Sequence, residues 1–166
     1  SNNKAIEIFN GTGREIDLSV YSLKLYANGA PTASQTLKLS GTLAHGEVYV
    51  IYHGSAANAI KDVGDLSNSS VINFNGDDAI ALYNVDTLID IFGEIGKRVK
   101  WGENVTLVRK PEITKGNTIY NADEWISYPN NTFNYLGSHT FNGTVEEKTP
   151  QEKLAAAKAE IELTDG

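Results

Sequence analysis

Two short clusters in this 166-residue chain bring together residue types that could do chemistry. The first is Asn75-Gly76-Asp77-Asp78. Its amide and carboxylate oxygens suit a hard cation such as Ca²⁺. The alternating ligand spacing of a calcium loop is missing, though, and Asx side chains that bond nearby backbone amides account for such clusters without any ion. Asn75, Asp77 and Asp78 are thus weak metal candidates, and the expectation is neither metal nor cofactor. The second cluster is Lys97-Arg98-Val99-Lys100-Trp101. Lys97, Arg98 and Lys100 could meet a phosphate, an acidic glycan or an acidic partner, with Trp101 stacking on a ring. The plainer reading is a solvated loop whose Trp covers one end of the fold.

Other reactive residue types lack a partner at a useful spacing. His45 and His53 flank one extended segment and would lie about 25 Å apart, too far to share a metal. His139 stands alone in sequence. Gly54-Ser55-Ala56 lacks the second glycine of a nucleophile elbow. Gly11-Thr12-Gly13 is followed by Arg-Glu-Ile, not by the Lys-Ser/Thr of a phosphate loop. No catalytic pair is recognisable, so the expectation is a chain that is not an enzyme.

The elements that must carry these clusters are short and alternate with a period of two. Strands are expected at 5–9, 16–26, 36–41, 47–53, 71–74, 79–83, 88–92, 105–109, 124–126 and 132–136, with glycine- and asparagine-rich turns between them. In 79–83, Ala79, Ala81 and Tyr83 share one face and Ile80 and Leu82 the other. In 21–26, Tyr21, Leu23 and Leu25 point inward and Ser22 and Lys24 to water. Asn75-Gly76 is read as a tight hairpin turn needing positive φ. Residues 55–63 break the pattern and predict one short helix capped by Ser55. Many short strands with frequent turns mean a β-sandwich or barrel. Tyr21, Tyr26, Tyr49, Tyr52 and Tyr83 could pave a carbohydrate-binding face, although half-buried tyrosines are ordinary in strands.

Composition narrows the partners. Forty per cent hydrophobic residues are enough for a core, and the net charge of −7 makes a phosphate backbone a poor default ligand. Nucleic acid is therefore unlikely as a partner. There is no cysteine, which excludes disulfides and thiolate metal sites. No run of 18 apolar residues exists, so no membrane insertion is expected. After His139 the chain turns polar. Thr149-Pro150-Gln151-Glu152 is a capped helix start, and Ile161-Glu162-Leu163 begins a new alternation. The expected organisation is a β-sandwich domain over 1–140, with 141–166 a polar linker plus the start of a truncated following domain.

Eight segments in order carry a family resemblance: IEIFNGTG (6–13), SVYSLKLY (19–26), SGTLAHGEVYVI (40–51), NFNGDDAIALY (73–83), LIDIFG (88–93), TLVRKP (106–111), EWISYP (124–129) and FNYLGSH (133–139). Together they resemble the lamin-tail domain as it occurs in secreted and surface proteins of Bacteroidetes type. The resemblance implies an all-β, immunoglobulin-like antiparallel sandwich with one or two short helices. It implies no catalytic residues. It also implies an accessory module of a larger extracellular, periplasmic or cell-surface bacterial protein, used for adhesion, spacing or substrate positioning. The expected partners are neighbouring domains of the same polypeptide and a protein or glycan. The rival reading is a glycan- or nucleic-acid-binding module that targets a linked hydrolase.

Overall fold

The computed structural model describes residues 1–142 and the backbone of 159–165. The chain is an all-β sandwich of immunoglobulin-like type. Its strands are β1 (Lys4–Asn10), β2 (Ile16–Asp17), β3 (Tyr21–Tyr26), β4 (Gln35–Lys38), β5 (Thr42–Leu43), β6 (Val48–Tyr52), β7 (Leu66–Ser67), β8 (Ala79–Asn84), β9 (Thr87–Phe92), β10 (Val105–Arg109), β11 (Trp125–Pro129) and β12 (Ala159–Asp165). One sheet runs β11-β10-β12-β1-β6-β7, the other β4-β3-β8-β9, and β2 and β5 form a two-stranded ribbon. All pairings are antiparallel except the short β6–β7 contact.

Period-two alternation builds the core. Ile6 and Ile8 of β1, Leu23 and Leu25 of β3, Ile51 of β6, and Ile80 and Leu82 of β8 meet between the sheets. Each fully covered aliphatic side chain contributes roughly 1.5–3 kcal/mol. The expected division of β8 is seen: Ala79, Ala81 and Tyr83 pack on the opposite face. Every residue of β1 is buried. The reason is a second apolar layer outside its sheet, where Ala5 and Val50 meet Ile60, Phe133 and Leu136.

Several expected elements differ. Residues 71–74 are not a strand; Val71, Ile72 and Phe74 are buried in the main core as an irregular plug. Apolar character there reflects burial, which a short run shares between strand and coil. Residues 132–136 are not a strand either; 134–137 form a turn, and Phe133 and Leu136 cover the outer layer. The helix α1 spans only Asn58–Lys61, and its N-cap residue is Ala57. Ser55 does not cap it; the Ser55 amide donates to His53 Nδ1 at 3.0 Å. Ser22 is buried rather than wet, and Lys24 lies 4.4 Å over the Tyr83 ring.

The boundary expected at 140 also needs correction for its last part. Strand β12 lies inside the six-stranded sheet between β1 and β10. It pairs with β1 from Lys4↔Asp165 to Asn10↔Ala159, so 159–165 belongs to this sandwich and not to a separate domain. The linker and helix start read at 143–158 lie outside the described residues.

Candidate functional site

The two clusters singled out from sequence are brought to one place. Asn75-Gly76-Asp77-Asp78 is a turn, closed by the Asp78 amide donating to Asn75 O at 3.0 Å. It is not a hairpin turn, since no strand precedes it; the β8–β9 hairpin turns instead at Val85, with φ of 53°. Asp78 is buried, and both its oxygens accept from backbone amides: Oδ1 from Asn28 at 2.7 Å and Oδ2 from Asn75 at 2.8 Å. That is the Asx pattern, and it commits Asp78 to holding the turn.

Gly76 is needed for a reason other than φ. Its backbone packs against the loop at 97–104, and Gly102 N donates to Gly76 O at 2.9 Å. A Cβ on Gly76 would lie 2.2 Å from both Cα and N of Glu103. The glycine thus lets the acidic turn and the basic loop touch.

Between them lies a cavity of about 290 Å³, lined by Lys4, Asn75, Asp77, Arg98, Lys100 and Glu103 together with Ser1, Gly76 and Asn104. Arg98 Nε bonds Asp77 Oδ2 at 2.7 Å, and Lys100 Nζ pairs with Glu103 at 2.7 Å. These carboxylates hold both cations above their ordinary pKa values, chiefly through the hydrogen bonds. Asp77 Oδ1 is buried and has no hydrogen-bond partner. Lys4 enters from β1, with its ammonium bonded to the carbonyl of Phe74 and 3.4 Å from Asn75 Oδ1. Three cationic side chains and two carboxylates therefore face one polar cavity. Lys97 stands apart and pairs with Glu94 at 2.8 Å. Trp101 packs against the main core, edge-on to Tyr120 at 5.5 Å, and covers the end of the sandwich.

Lys4, Glu103 and Asn104 were not identified as site residues from sequence. Lys4 carries a readable signal, a cation at the head of an apolar strand; Asn104 joins through a left-handed φ of 56°. A buried ionic cluster was missed as well. Arg109 donates to Asp90 through Nη1 at 2.9 Å and Nη2 at 3.0 Å, reaches Glu124 at 3.2 Å, and lies 4.4 Å over Trp125. Burial pushes the Asp90 carboxyl up, while Arg109 and the amides of Asn117 and Ile91 oppose that. The signal was alternation: Arg109 shares a strand face with Leu107, and Asp90 interrupts an apolar run.

The remaining candidates are scattered. His45 Nδ1 accepts from Gly13 N at 3.0 Å, and His139 packs on Phe9 at 4.8 Å between ring centroids. Among the described residues, no three His, Asp or Glu side chains group as metal ligands. The tyrosines do not pave one face. Tyr21 is in the main core, whereas Tyr26 and Tyr83 share a 2.8 Å hydroxyl contact on the outer face of the four-stranded sheet. Among the described residues, no helix is long and apolar enough to cross a membrane.

Comparison with known proteins agrees with the architecture. The family model described as Lamin Tail Domain matches residues 1–96. The chain belongs to the lamin tail domain family. That family is non-catalytic and immunoglobulin-like, and the two-sheet core agrees with the immunoglobulin-like architecture. The matched span includes the 75–78 turn and strands β1 to β9, whereas the 97–104 loop lies just beyond it. Neither the curated proteins nor the solved structures contain a match.

Proposed function

We propose that this lamin tail domain is a non-catalytic interaction module of a larger secreted or cell-surface bacterial protein, and that it engages an acidic glycan through the cavity between 75–78 and 97–104. The observation that carries this reading is local charge. Lys4, Arg98 and Lys100 converge on one polar cavity in a chain whose net charge is −7. Carboxylates of a uronic acid would meet the two exposed cations, and sugar hydroxyls would meet Asn75 and Asn104. Held this way, the module would position or anchor whatever domains share its polypeptide.

The rival is a nucleic-acid phosphate at the same cations. The overall acidic charge weighs against it, because backbone binding draws on many Lys and Arg contacts at once.

Titration calorimetry with an oligogalacturonate at low salt tests the proposal. Saturable binding should fall at least tenfold in Arg98→Ala/Lys100→Ala, with the melting temperature unchanged. Absence of binding, or binding equal in the variant, would overturn it. Tighter binding of a single-stranded oligonucleotide by the same residues would favour the rival.

A further inference from the structure

Lys4 opens a strand whose residues are all buried, and it is itself only 5% exposed. Its ammonium bonds the carbonyl of Phe74, lies 5.6 Å from the centroid of the Phe74 ring, and stands 3.4 Å from Asn75 Oδ1. A lysine amine is a nucleophile toward carbonyl carbon, and the carbon bonded to that oxygen is a carboxamide. Both main chains are pinned. Lys4 N donates to Asn2 O at 2.8 Å, and Lys4 O accepts from His53 N at 3.0 Å. Asn75 N donates to Asp78 Oδ2 at 2.8 Å, and Asn75 O accepts from Asp78 N at 3.0 Å. A fixed amine beside a fixed carbonyl is the arrangement in which an intramolecular reaction gains most over its bimolecular counterpart.

A carboxylate completes the set. Asp77 lines the same cavity as Lys4 and Asn75. Its Oδ2 is engaged by Arg98, whereas its Oδ1 is buried and has no hydrogen-bond partner. One oxygen is thus left to carry a proton between the attacking and the departing nitrogen, the task of a general acid–base group.

We propose that Lys4 and Asn75 join in an intramolecular isopeptide bond. The Lys4 ammonium passes one proton to Asp77. The neutral Nζ attacks Asn75 Cγ, forming the new C–N bond as the carbonyl opens onto Oδ1. Asp77 gives its proton to Nδ2, the Cγ–Nδ2 bond breaks, and the carbonyl reforms. The surplus proton on Nζ leaves with the departing ammonia. An ammonium and a carboxamide thus become a secondary amide and a free ammonium ion, with charge conserved and no oxidant or reductant needed. Asn75 is exposed, so the ammonium ion has a way out. The bond ties β1 of the six-stranded sheet to the turn that leads into β8 of the four-stranded one. It closes residues 4–75 into a covalent loop, which restricts the unfolded chain and keeps the sheets joined under load. Arg98 and Lys100, the exposed cations of the cavity, are left as they are, so the bond stands apart from glycan binding.

Intact mass and a tryptic map of the purified full chain test the proposal. The expected chain is lighter than its sequence by one ammonia, is no longer cut after Lys4, and yields a branched peptide joining Lys4 to Asn75. Lys4→Arg and Asn75→Ala should keep the full mass and melt at a lower temperature. Asp77→Asn retains both reacting groups, and its linked fraction should fall at least tenfold. Arg98→Ala loses the same ion pair but keeps the Asp77 carboxylate, and it should still link. Full mass in the folded parent chain, with trypsin cutting after Lys4, would overturn the bond. So would loss of ammonia without the branched peptide, which marks a succinimide at an Asn-Gly pair instead. Linking in Asp77→Asn equal to that of the parent would remove Asp77 from the mechanism.

Discussion

A methyl group on Gly76 would sit 2.2 Å from two backbone atoms of Glu103, so this residue decides whether the acidic turn and the basic loop can share a cavity. Gly76→Ala should cost about 1–3 kcal/mol, the usual range for overpacking a fixed backbone contact. Urea denaturation measures it, and a loss below about 0.5 kcal/mol, the scale of an ordinary surface change, would mean that the 97–104 loop yields freely. The Arg109 cluster sets a second residue-scale expectation. Both Arg109 and Asp90 are almost wholly buried. Losing the Asp90 charge leaves Arg109 with the longer contact to Glu124, so Asp90→Asn should cost about 3–5 kcal/mol, whereas an apolar pair such as Asp90→Leu/Arg109→Met should recover most of that. A double-mutant cycle reads the difference. Equal losses in Asp90→Asn and in the apolar pair would show that a stranded Arg109 charge is not what the single variant suffers from.

At the scale of elements, β12 is the least expected feature and the most exposed to test. Ending the chain at residue 142 removes the pairings to β1 and β10. Each backbone hydrogen bond is worth about 0.5–1.5 kcal/mol net, and β10–β11 loses its bridge to the sheet. The truncated chain should therefore be less stable by more than about 3 kcal/mol, the scale of a substantial core deletion. A smaller loss would return 159–165 to the role of an outside segment. The reason β12 was read from sequence as a new domain is physical. Strand alternation reports that one face will be buried but not which sheet receives it, and a polar stretch ahead of it imitates a linker. The same limit explains 71–74. Its apolar residues declare burial without declaring strand, and only the packed structure shows Val71, Ile72 and Phe74 filling the core as coil. Where alternation was long and flanked by turns, as in β1, β3, β8 and β9, local pattern and tertiary demand agree, and the strands were legible. The candidate site was half legible. Charge and amide chemistry marked 75–78 and 97–101, but their meeting rests on a close backbone approach that no spacing rule contains.

At the scale of the whole molecule, a single aromatic series ties the two sheets at one end. Trp101 meets Tyr120, Tyr120 meets Phe92 of β9, and Phe92 meets Trp125 of β11, with centroids 5.1–5.7 Å apart. Phe92 belongs to the four-stranded sheet and Trp125 to the edge of the six-stranded one, while both stand in the shared core. Neither sheet can separate without breaking these edge-on contacts, each worth about 0.5–1.5 kcal/mol beyond area burial, and without exposing the aliphatic layer behind them. The molecule should therefore unfold as one cooperative unit. The two tryptophans make that measurable. In Trp101→Phe, fluorescence reports Trp125 and the six-stranded sheet; in Trp125→Phe, it reports Trp101 at the end of the other. Within each variant, the urea midpoint by fluorescence should coincide with that by far-UV circular dichroism. A fluorescence transition that clearly precedes the loss of β-structure in either variant would mean that its end of the sandwich opens first, and that the aromatic series joins the sheets less firmly than its geometry requires.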